Sequence, residues 1–128
     1  RAGRRRMTDT TEIAARYGVP TPEELVAEYE KRGMRWTGND FYRDDGDDGE
    51  CCCAVGMLTL IETSDPAVLP DLTQGAAWEY LDHLPREFIN GTIAGNDGDR
   101  RPPSSWWPGY VDGWEYGHAV RLAEVTHD

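Results

Sequence analysis

The decisive stretches are FINGTIAG at residues 88–95 and YVDGWEYG at residues 110–117, which align without a gap as aromatic, β-branched, Asn or Asp, Gly, three residues, Gly. At 3.6 residues per turn, Phe88, Gly91 and Gly95 fall near one face of a helix, and Tyr110, Gly113 and Gly117 do the same. Each helix would then carry a flat strip beside an aromatic ring. A glycine inside a helix costs about 1 kcal/mol against alanine, so two per helix call for a compensating gain, and close approach of two backbones supplies one. The pair is read as a helix–helix crossing. The competing reading ends short helices at these glycines and starts turns there. Between the copies, NDGDRRPPSSWWPG has the composition of a loop.

Working outward, 128 residues make one domain with a modest core. Hydrophobic residues are 38% and charged residues 29%, a globular balance, while 14 Gly and 8 Pro ask for long connections. The expected fold is mainly α: a single compact domain of five or six short helices joined by Gly/Pro-rich loops, with a minor β element near 34–43.

TPEELVAEYEKRG (21–33) carries the fullest helix signature: Thr21 as N-cap, Pro22 in the first position, Glu23 and Glu24 complementing the dipole, Gly33 closing it, and Leu25, Val26 and Tyr29 as the buried stripe. TDTTEIAARYG (8–18) predicts a shorter helix capped by Thr10 or Thr11 and ended by Gly18. MRWTGNDFYRDDGDDGE (34–50) reads as an irregular or short-strand segment turning Trp36, Phe41 and Tyr42 inward, then a solvated acidic loop. CCCAVGMLTLIE (51–62) is apolar around its whole circumference, which predicts a central buried helix. DLTQGAAWEYLDHL (71–84) predicts another, with Ala77, Tyr80, Leu81 and Leu84 on one side, and Pro85 starts the next.

The formal charge is −11. Four of the 13 basic residues are Arg1, Arg4, Arg5 and Arg6, leaving nine against 24 acidic residues from Met7 onward, a net of −15. The expected division is a basic extension over 1–6 and a single acidic helical domain over 7–128. Such a body repels nucleic acid and anionic membrane and attracts basic partners. The longest apolar-rich run, CCCAVGMLTLI, is well short of the roughly 20 residues that span a bilayer, and a soluble, cytoplasmic protein is expected.

Chemical candidates are few. Cys51, Cys52 and Cys53 on one helix would fan over its circumference at about 100° per residue, which opposes convergence on one ion. Structural zinc wants four ligands with a short gap inside each cysteine pair, and the chain has no CxxC and only His83, His118 and His127 to complete a set. A thiolate nucleophile is opposed by Asp44, Asp45, Asp47, Asp48 and Glu50 just upstream. The cysteines are therefore read as small buried residues where a helix enters the core. Glu115 and His118 form one Glu-x-x-His unit of the di-iron type, but such a site needs a second pair and two more glutamates, for which only Glu79, Asp82 and His83 offer partial help. The acidic loops lack the carboxylate spacing of a calcium loop. Phosphate-cradling, dinucleotide and nucleophile-elbow motifs are missing from the sequence, and no cofactor is expected.

Trp36-Thr37, the acidic-glycine loop and Cys53-Ala54-Val55-Gly56-Met57-Leu58 resemble a segment of small uncharacterised bacterial proteins with a WT…CAxGxL pattern, over about residues 36–60. The resemblance implies a helical bacterial or phage protein and brings no activity. The extra cysteines and the glycine-repeat third depart from it.

Two function classes follow. The favoured one is a non-enzymatic acidic binding module of inhibitor, immunity or mimic type for a basic protein surface, with Trp106, Trp107 and Tyr110 in RRPPSSWWPGY (100–110) as interface anchors. The competing one is a small metal protein or enzyme using Cys51, Cys52, Cys53, His83, Glu115 or His118. A structural reading of the tryptophans as a proline-stiffened cover for the core stands beside the first.

Overall fold

The computed structural model describes residues 9–127, with side chains described through residue 124. The basic extension at 1–6 and Met7 as the first residue of the fold lie outside the described residues. Six helices and a small sheet follow in the order α1 (Thr10–Tyr17), α2 (Pro22–Arg32), β1 (Arg35–Trp36), β2 (Arg43–Asp44), β3 (Glu50–Cys52), α3 (Ala54–Thr63), α4 (Gln74–Tyr80), α5 (Arg86–Asn96) and α6 (Pro108–His127). The mainly helical expectation holds.

The largest interface joins α5 and α6. A Cβ added at Gly91 would overlap the Tyr110 carbonyl and lie 2.8 Å from the Trp114 N. At Gly95 it would overlap the Trp114 carbonyl and lie 2.8 Å from the His118 N. Reciprocally, Gly113 abuts the Phe88 carbonyl and the Thr92 N, and Gly117 the Thr92 carbonyl and the Asn96 N. Each contact maps onto its partner by a shift of 22 residues, so the echo in sequence is a pseudo-two-fold in space, with the helices running in the same direction. Such contact is available only where neither backbone carries a side chain, and it suits Cα–H···O contacts between helices. The turn reading of these glycines is overturned.

Capping follows local chemistry. In α2, the Thr21 side chain accepts from Glu24 N and the Glu24 carboxylate accepts from Thr21 N, a reciprocal capping box, and Gly33 closes the helix at φ 67°. In α1 the cap is Asp9, whose carboxylate accepts from Thr11 N, so the expected Thr10 or Thr11 cap is corrected by one or two residues. In α4 the cap is Thr73 and the helix stops at Tyr80. Tyr80 is 40% exposed, against the expectation that it shares the buried side. Leu81 and Leu84 are buried from the turn that follows, and Pro85 caps α5.

The larger correction concerns the cysteines. Cys51 and Cys52 belong to β3, the central strand of a sheet ordered β1-β3-β2, parallel to β1 and antiparallel to β2. Cys53 is the extended N-cap of α3, which begins only at Ala54. An apolar run with no periodicity fits a buried strand as well as a buried helix. Tertiary pairing decides between them: Arg35 and Arg43 both register against Cys51, and Cys53 N donates to the Asp40 carbonyl at 3.1 Å. From Ala54 to Leu60 every residue of α3 is buried, as the central-helix reading expects. Trp36, Phe41 and Tyr42 pack, half-buried, against that core.

Asn96, fully buried at the end of α5, ties the layers together. Its Oδ1 accepts from Trp36 Nε1 at 2.8 Å and Ala54 N at 3.1 Å, and its Nδ2 donates to the Thr37 carbonyl at 3.1 Å. All three of its side-chain partners are main-chain or indole groups that burial would otherwise strand. Arg121 on α6 donates to the Asn96 carbonyl at 3.2 Å, supplying a cation where the α5 dipole is negative. Among the described residues no helix is long and apolar enough to cross a membrane.

Candidate functional site

The connection from α5 to α6 must return the chain to the start of a parallel neighbour, and it is built stiff. Gly98 takes φ 84°, letting Gly98 N donate to the Gly95 carbonyl and Asp99 N to the Ala94 carbonyl in a terminal turn. Pro102 is buried, and Trp106 N closes a turn onto the Pro103 carbonyl at 3.0 Å. Pro108 opens α6, where a missing N–H costs nothing, and Val111 N makes the first helical bond to the Trp107 carbonyl. Two side chains clasp the loop from α6. Trp114 Nε1 donates to the Asp99 carbonyl at 3.1 Å, and Arg101 forms an ion pair with Glu115, a carboxylate only 5% exposed.

This frame holds an aromatic knuckle at the surface. Trp107 is 64% exposed and Trp106 45%; their rings meet edge to face at 5.9 Å, and Trp106 packs on Tyr110 at 5.5 Å. Ser105, Trp106, Trp107 and Pro108 line an open cleft of about 490 Å³. Burial raises the Tyr110 hydroxyl above its usual pKa, with Asp99 adding to it. Glu87 lies against Gly109, 3.4 Å from the position of an added Cβ. Behind the knuckle, Asp112 accepts from Arg16 and from Tyr17, each at 2.8 Å, and Tyr17 stacks on Phe88 at 4.1 Å. The knuckle therefore stands on the glycine-packed helix pair, with Trp106 and Trp107 facing water and Tyr110 half-buried beneath them.

The residues of the competing reading do not gather. The Cys51 Sγ lies 4.0 Å from Asp45, the Tyr29 hydroxyl donates to the Cys52 carbonyl at 2.8 Å, and Cys53 is the N-cap of α3. All three are free and buried. Burial raises each thiol pKa: Cys51 despite the nearby Arg43, Cys52 far above the normal range, and Cys53 to about 11 even though the Val55 and Gly56 N–H groups pull it down. His83 lies by Glu62, at 4.0 Å. Glu115 is taken by Arg101, and the His118 ring stacks on Trp114 at 4.5 Å and 16°. Among the described residues no three His, Cys, Asp or Glu side chains are grouped so as to hold a metal ion.

Sequence reasoning missed Asn96, Arg101 and Arg121. Their partners lie 14 to 60 residues away, beyond any local pattern. The chain matches no known protein family, no curated protein and no solved structure.

Proposed function

We propose that this chain is a protein-binding module that presents Trp106, Trp107 and Tyr110 to a partner with a basic face, inside the cell and without a catalytic step of its own. The observation carrying this reading is the knuckle: two large indoles kept substantially in water by a stiff loop. An exposed tryptophan forgoes about 2 kcal/mol or more of burial, so holding two on a rigid frame favours a surface that is completed by something else. Aromatic anchors of this type dominate binding energy at interfaces, and a pre-ordered loop loses little entropy on docking.

The choice of partner rests on charge. A net of −15 from Met7 onward steers a basic surface toward the molecule and repels nucleic acid and anionic lipid. The test uses the parent chain and a Trp106→Ala/Trp107→Ala variant as baits in the same native lysate, with capture quantified at about 0.05 and 0.5 M salt. A protein with a basic face should be retained by the parent, depleted from the variant, and captured more slowly at high salt. Retention of the same proteins by both baits would contradict the proposal, as would a partner indifferent to salt.

A further inference from the structure

The His118 Nδ1 is buried without a hydrogen-bond partner, the sole such side-chain N or O atom found among the described residues. We infer that His118 is a proton-operated latch on the 97–107 loop, releasing it, and the knuckle it carries, when the imidazole is protonated.

The geometry dictates this. His118 follows Trp114 by one turn of α6 and lies flat on its indole. That same indole holds the loop through the Asp99 carbonyl, and the Arg101 guanidinium stands over its ring at 5.3 Å. The charged groups facing His118 are Glu115 and Arg121 on its own helix and Arg101 on the loop. From α5 the contact is made by Gly95, which carries no titratable group, and Asp97 at the end of α5 acts on the Arg121 side.

A neutral imidazole protonated at Nε2 leaves one orphaned acceptor at Nδ1, a smaller penalty than an unpaired buried cation. An imidazolium must donate from both nitrogens, and no acceptor waits at Nδ1. It would also face two guanidinium groups. The carboxylate able to relieve it is Glu115, now engaged by Arg101. Arg101 is half exposed and can exchange its carboxylate for water, so the competition is settled by the loop letting go. Burial, with Arg101 and Arg121 beside it, lowers the His118 pKa despite Glu115. The sign follows: the latched state binds the proton less well than the open state, so opening is favoured as pH falls below 6.5 and is disfavoured above it.

Hydrogen exchange of the full chain at pH 7.5 and 5.5, corrected for intrinsic rates, tests the latch. For an open-state pKa near 6.5 and a lowered latched one, the opening constant rises between these two values, with about tenfold as the ceiling. Peptides covering 97–107 should lose protection toward that limit, while α2 peptides stay unchanged. His118→Gln, or His118→Phe as a second neutral ring on Trp114, should remove the pH dependence. Equal loop protection at both pH values, or the same loss in a folded variant, overturns the latch. An NMR titration of the parent gives a result even if both variants fail to fold: a His118 midpoint below 6.5 is expected, and one at or above 6.5 refutes it. None of these readouts involves a partner, so their failure leaves the binding proposal standing. Where both hold, the partner is released in acid, a consequence that rests on the binding reading above.

Discussion

Replacing Gly113 by alanine adds one methyl group where α6 crosses α5, and the sign of its effect separates a packed crossing from an exposed turn. The new Cβ would overlap the Phe88 carbonyl and lie 2.9 Å from the Thr92 N. Carbon–oxygen contacts of this kind settle near 3.3–3.6 Å, so the helices must part by about 1 Å. Overpacking of this sort costs about 1–3 kcal/mol. A gap of up to 1 Å along the other three glycine contacts forfeits part of their dispersion as well. Against this, alanine returns about 1 kcal/mol of helix propensity. The balance is a loss of about 1–3 kcal/mol, or roughly 4–12 °C in melting temperature at this chain length. Gly75, in α4 with nothing within 4 Å of an added Cβ, is the matched control, and Gly75→Ala should be neutral or stabilising by up to about 1 kcal/mol. The assay is thermal and urea denaturation followed by circular dichroism. A Gly113→Ala protein melting at or above the parent would refute the crossing.

Further outcomes follow from the buried groups. Cys53, with its pKa raised to about 11 from 9.0, should hold about a hundredfold less thiolate than an ordinary thiol at neutral pH and alkylate correspondingly slowly in native buffer; fast labelling of Cys52 or Cys53 would contradict their burial. Asn96→Ala should cost about 2–4 kcal/mol in denaturant titration, because it strands Trp36 Nε1, Ala54 N and the Thr37 carbonyl together. Burial raises the Asp97 pKa, so its carboxylate penalises the folded state above that value and not below the unfolded one. Asp97→Asn should therefore stabilise the protein at pH 7 and lose that advantage near pH 3, and an unchanged melting temperature at both would remove the effect.

Much of this fold was legible because its signals are local. Thr21, Pro22, Glu24 and Gly33 announce both ends of α2, and the spacing of Gly91, Gly95, Gly113 and Gly117 exposes a flat face on each of two helices. The cysteines mislead for a physical reason. Cys51 to Cys53 are followed without interruption by the apolar start of α3, and only pairing with Arg35 and Arg43 draws two of them into a strand. In α4, Tyr80 fits the apolar stripe in projection, but the helix ends there and the chain turns away. At the site, the paired tryptophans and prolines were visible, whereas the clasp of Arg101 on Glu115 depends on the loop's return path. Glu115 and His118 stand out in the sequence by their spacing, yet their surroundings are set by Arg101 and Trp114.

The proposed binding face consists of the exposed indoles of the knuckle, carried by a fold that does not need them for stability. Its most direct measurement is the affinity of purified Trp107→Ala for the captured basic partner, made beside its melting temperature. Removal of a central aromatic anchor costs about 2 kcal/mol or more of binding, so the dissociation constant should rise by about thirtyfold while the melting temperature stays within about 1 °C of the parent. An unchanged dissociation constant would remove Trp107 from the binding face, and a variant that unfolds would show that Trp107 belongs to the fold; either contradicts the account.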